Sequence, residues 1–125
     1  MITKTKMSKD IQINIKSYMM FKHRHEHEEL DGIKTIFYKV KDPFDFYGME
    51  AEASYFLFSK EKLLEQNVDV LQIYVTGLTS ALICIINAIS KSGFTAPVYL
   101  MHYDRDSDTY LPQRIWYEKR SEVKC

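Results

Sequence analysis

Apolar and polar positions first alternate at Ile11, Ile13 and Ile15 against Gln12, Asn14 and Lys16, the two-residue period of a half-buried strand. The pattern weakens through Tyr18, Met20 and Phe21 and gives way to charge over residues 23–31. Asp31-Gly32 is a hairpin-turn dipeptide, and Ile33 to Val40 (IKTIFYKV) reads as the strand returning from it. Residues 41–50 (KDPFDFYGME) predict a connector broken by Pro43 and Gly48. Ala51 to Phe58 fits either a strand or the opening turns of a helix running to Asn67, with Ser59 a candidate N-cap for Lys60 to Gln66.

Val68 to Thr76 is the most strand-like segment. Gly77 breaks it, Thr79 or Ser80 caps a helix, and that helix runs to about Ser92 with Gly93 at C′. Pro97 to Tyr103 predicts another strand, Asp104 to Tyr110 a polar loop, and Leu111 to Glu118 a last strand. The expected architecture is α/β: an N-terminal β-hairpin plus a β-α-β Rossmann-like unit in a small mixed sheet. It forms one domain over 1–125, with a flexible lead-in at 1–9, the hairpin at 10–40 and the ligand-binding unit at 68–118. The helix core Ala81 to Ile89 (ALICIINAI) is apolar almost all round, which demands burial on more than one side. A second copy of the chain would cover the further side, so the expected state is a homo-oligomer, a dimer or a multiple of dimers.

Composition narrows the partner. With 17 Lys+Arg against 17 Asp+Glu in 125 residues, bulk charge cannot hold the chain on long nucleic acid or an anionic membrane. A small anion held by local arginines is compatible with that balance. Cys84 and Cys125 make no disulfide scaffold and point to a reduced, cytoplasmic setting. The basic lead-in is followed by no apolar run, so no signal peptide is expected. Val70 to Ser90 carries no charge, yet Gln72, Thr76, Gly77, Thr79, Ser80 and Asn87 interrupt it, and strand-turn-helix accounts for it without a membrane.

Parallel strands gather ligands at their carboxyl ends. There Thr76-Gly77-Leu78-Thr79-Ser80 would offer backbone N–H groups, a helix dipole and three hydroxyls to a phosphate. His102-Tyr103-Asp104-Arg105-Asp106 would converge on the same edge: Arg105 on phosphate, Asp104 or Asp106 on ribose hydroxyls, Tyr103 or Tyr110 stacked on a base. A plain helix cap and an ordinary acidic turn explain the same residues equally well. No Walker loop or GxGxxG is present. Asp104, Asp106 and Asp108 open like a calcium loop, but Thr109 and Ile115 stand where Gly and Glu are required. His23, His25 and His27 would share one strand face, a geometry open to zinc, although a solvated charged ribbon is the simpler reading. No cofactor or metal is expected. Asn87 fits a satisfied core amide, an interface registry residue or a ligand contact, and Trp116 a core or interface position. No GxSxG supports a serine nucleophile.

The hairpin followed by VLQIYVTGLTSALICIINAISKSG and APVYLMHYDRDSDTY resembles the first type of Thoeris anti-defence phage proteins. Those are oligomeric sponges that sequester a cyclic ADP-ribose isomer and, in some members, cyclic oligonucleotides. A looser likeness is to small CRISPR-associated ring nucleases, through Tyr103-Asp104-Arg105. Those carry a catalytic His after the central helix, where this chain has Ser90-Lys91-Ser92-Gly93. The resemblance therefore implies sequestration of a cyclic nucleotide messenger without catalysis, with cleavage of cyclic oligoadenylate or a plain interaction module as alternatives. The binding positions it implies are the 76–80 turn, Asn87, Asp104, Arg105 and Tyr110, with Gln113 and Arg114 behind them.

Overall fold

The computed structural model describes residues 12–22 and 28–116. The lead-in, the three histidines at 23, 25 and 27, Cys125 and the end of the last expected strand lie outside that range. Five strands form one mixed sheet in the order β2-β1-β3-β4-β5: β1 Ile15–Met19, β2 Lys34–Thr35, β3 Val70–Tyr74, β4 Val98–Asp104 and β5 Thr109–Ile115. The first four are parallel and β5 returns antiparallel along β4. Pro112 sits in β5, an edge strand, where its missing N–H costs no ladder bond to a second neighbour.

The α/β architecture with a mixed sheet stands, but the N-terminal hairpin does not form. Tyr18 pairs with Lys34 and Met19 with Thr35 in parallel register. Asp31-Gly32 does turn the chain, with Ile33 N bonded to Leu30 O at 3.2 Å. The segment ahead of it, the 3-10 turn Glu28–Leu30, buries Leu30 against Met19, Tyr74 and Met101. That docking lays the connection across the sheet, so β2 enters in the same direction as β1.

Helix α1, Phe46–Ser54, begins inside the expected connector. Asp45 caps it by accepting the Gly48 N–H, and a Cβ at Gly48 would collide with that carboxylate. The chain continues as a π-helix over Tyr55–Lys60, so Ser59 lies inside a helical segment and caps nothing. Helix α2, Thr79–Ser92, joins β3 to β4, and Gly93 closes it at φ 90°. Both helices cover one face of the sheet. There Tyr18, Leu71, Ile73, Val98 and Leu100 meet Met49, Ala53, Leu57, Ala81, Ile85 and Ile89. The opposite face carries a smaller cluster of Met19, Leu30, Tyr74, Met101 and Tyr110.

α2 is buried on one side only: Ala81, Cys84, Ile85, Ala88 and Ile89 are covered, while Ile83 is 52% exposed and Asn87 faces out. The all-round burial expected of this helix therefore does not occur within one chain. Asn87 is not a core amide. Trp116 packs partly buried against the main cluster. Among the described residues no helix is long and apolar enough to cross a membrane.

Glu61 follows the π-helix and ties it to the sheet. Burial pushes its carboxyl up, but hydrogen bonds from Lys34 Nζ (2.9 Å) and Tyr18 Oη (2.8 Å) outweigh burial and hold it below the usual carboxylate range. A lowered native pKa gives stability above the unfolded value that is lost as pH falls through the native one. Glu61→Gln is therefore expected to flatten the fall in melting temperature below about pH 5, by no more than about 1 kcal/mol because Lys34 is exposed. Parallel acid limbs for wild type and variant would contradict this.

Candidate functional site

At the carboxyl ends of the parallel strands, β1 and β3 send the chain to opposite faces of the sheet. The segment after β1 leads to the 3-10 turn, and that after β3 leads to α2. Such a divergence between neighbouring parallel strands is where open α/β sheets form ligand crevices. Its floor is stapled here. Phe21 N donates to Thr76 Oγ1 at 3.0 Å, and the Thr76 hydroxyl donates to the Phe21 carbonyl at 2.8 Å. The Phe21 ring lies directly over Gly77, which adopts φ 138°, and stacks on Phe37, a fully buried ring, at 5.3 Å. Only glycine combines that backbone angle with a ring so close.

Helix α2 starts beyond this staple with Leu78 as its N-cap. Neither Thr79 nor Ser80 caps it: Thr79 is already helical, and Ser80 Oγ donates to the Pro43 carbonyl at 3.4 Å. Leu78 has no side chain able to accept from the first-turn N–H groups, and no side-chain cap bond is made. These N–H groups, with the positive end of a 14-residue helix, suit an anion.

Next along the edge, β4 and β5 run past the end of β3 and close through residues 105–108. The Asp104 carboxylate shapes this turn, accepting from Ser107 Oγ at 2.7 Å and Ser107 N at 3.3 Å. Those bonds hold it below the ordinary aspartate value. Arg105 and Asp106 are exposed on the turn, and Arg105 makes no ion pair among the described residues. Tyr103 is 45% exposed and donates to Asp108 at 2.6 Å, a bond that raises its hydroxyl pKa.

Tyr103 is the outer member of a ladder. Its ring centroid lies 5.5 Å from that of Tyr110, which meets Tyr74 edge-on at 4.9 Å. Tyr110 is only 4% exposed, so it supports Tyr103 and is not itself open to a base. Glu29 anchors the inner end, accepting from Tyr74 Oη at 3.3 Å and Thr109 Oγ1 at 3.4 Å. Burial first, then the Glu29 charge, pushes the Tyr74 hydroxyl up to about 12.

The fold thus brings Thr76, Gly77, Leu78, Thr79, Asp104, Arg105 and Asp106 to one edge, with Tyr103 and Tyr110 there on the sheet face opposite α2 and Ser80 turned into the groove against α1. It leaves three expected binding residues elsewhere. Asn87 lies on the outer side of α2, in a groove against α1. Gln113 is bonded to His102 at 2.7 Å on the helix-facing side of the sheet. Arg114, one residue on, points to the other face opposite Tyr99. Phe21, Glu29 and Tyr74 had not been expected at the site. Only Tyr74 carried a sequence signal, as the last aromatic of a strand leading into the Gly77 turn. Among the described residues no group of three or more His, Cys, Asp or Glu is placed to hold a metal ion.

Fold and edge together define a two-layer α/β protein whose parallel strand ends carry a helix start without a side-chain cap and an exposed turn. Comparison of the chain with protein-family profiles, curated proteins and solved structures finds no match.

Proposed function

We propose that this protein binds a cyclic nucleotide messenger of the cyclic ADP-ribose type and removes it from solution without cleaving it, as an agent that blocks a host's anti-phage defence. The observation that carries this reading is the uncapped start of α2 at the same sheet edge as exposed Arg105 and half-exposed Tyr103. Helix N–H groups and a guanidinium suit a pyrophosphate, and an edge-supported tyrosine suits an adenine face. Sequestration is favoured over cleavage by the engagement of the two side chains best able to assist a reaction. His102 is bonded to Gln113, and Asp104 holds its own turn.

The test is recovery of the ligand. Protein in slight excess over a cyclic ADP-ribose isomer should deplete it from an ultrafiltrate, and denaturation should return it at its original mass. Return with the mass of one added water would make the protein a hydrolase. No depletion would end the proposal.

A further inference from the structure

Tyr103 stands near the end of β4, on the sheet face opposite α2, with nearly half of its surface open to water. An exposed tyrosine turns among several rotamers, and fixing such a side chain when a ligand arrives costs roughly two- to tenfold in affinity. Here the ring is already held. It lies 5.5 Å from the ring of Tyr110, which is buried and braced edge-on by Tyr74. Its hydroxyl donates to Asp108 Oδ1 at 2.6 Å. Glu29, accepting from both Tyr74 and Thr109, ties β3 to the start of β5 and so keeps the support for Tyr103 in place.

The turn itself does not call for a carboxylate at position 108. Asp108 closes residues 105–108 with a left-handed backbone, φ 54°, which glycine adopts without strain and asparagine tolerates at least as well as aspartate. The carboxylate that shapes the turn is that of Asp104, through Ser107 N and Oγ. Asp108 instead reaches across to Tyr103. A negative charge beside bound phosphate is unfavourable, so the contribution of Asp108 to binding runs through the tyrosine. We propose that Asp108 is a positioning residue: it locks the Tyr103 ring in the orientation that receives an adenine face, an inference that rests on the nucleotide-binding function proposed above.

Three variants, titrated with cyclic ADP-ribose isomers, separate this role from a structural or a purely electrostatic one. Asp108→Gly keeps the turn, because glycine takes φ 54° freely, and should melt close to wild type. Losing one negative charge would by itself tighten the binding of an anion, whereas losing the lock should weaken it roughly two- to tenfold. Asp108→Asn removes the charge but keeps an acceptor for the tyrosine, and should bind at least as tightly as wild type. Tyr103→Phe keeps the ring without its hydroxyl and should lose as much as Asp108→Gly, with no further loss in the double variant. Wild-type or tighter binding by Asp108→Gly, binding by Asp108→Asn as weak as that of Asp108→Gly, or losses that add in the double variant would overturn the inference. If wild type still binds and Arg105→Ala binds more weakly, the proposed function survives that outcome. No binding by wild type would overturn both.

Discussion

Gly77→Ala is expected to lower the unfolding free energy by about 3 kcal/mol. Two costs combine. A residue with a Cβ at φ 138° leaves the allowed regions for L side chains, at about 1–3 kcal/mol. The new methyl would also enter the space of the Phe21 ring, with Cε2 only 2.8 Å away. That ring cannot retreat inward, because it stacks on fully buried Phe37, so overpacking adds about 1–3 kcal/mol. Gly93→Ala is the control. It also holds a positive φ, but nothing lies within 4 Å of its added Cβ, so its cost should stay near 1 kcal/mol. Denaturant melts that place the two variants together would remove Phe21 from the argument. Recovery of part of the loss in Phe21→Ala/Gly77→Ala would establish it.

Arg105→Ala should leave stability within about 0.5 kcal/mol of wild type, since the side chain is exposed on a turn held by Asp104 and Ser107. Its expected effect is on the ligand. Removing a charge-assisted hydrogen-bond donor costs about 1.5–3 kcal/mol, or roughly 10- to 150-fold in affinity. Gln113→Ala, also exposed but bonded to His102 away from the edge, should bind nearly as wild type. Equal losses in both variants would move the site off the edge.

The β3-α2-β4 unit was legible because its signals are local. Gly77 breaks an uncharged run and Gly93 follows its end, and the pairing of Leu71 with Val98 and Ile73 with Leu100 follows from burying the same face. The β1–β2 arrangement was not legible, because Asp31-Gly32 encodes a turn and says nothing about direction. Direction came from Leu30, which docks against Tyr74 and Met101 far along the chain. The start of α1 was hidden because Gly48 reads as a breaker, although in a first turn it only makes room for the Asp45 cap. At the site, residue types marked the turn and Arg105, but the side of each β5 residue depends on register. One position separates Gln113 from Arg114, and with it the two faces of the sheet.

In the proposed function, the uncapped α2 start, Arg105 and Tyr103 together hold a cyclic nucleotide. Titration calorimetry of the wild-type protein with cyclic ADP-ribose isomers tests it most directly. Saturable heat is expected with at least one isomer, at a fixed ratio of ligand to chain and lost in Arg105→Ala. Absence of heat with every isomer, or heat that Arg105→Ala leaves unchanged, would contradict it.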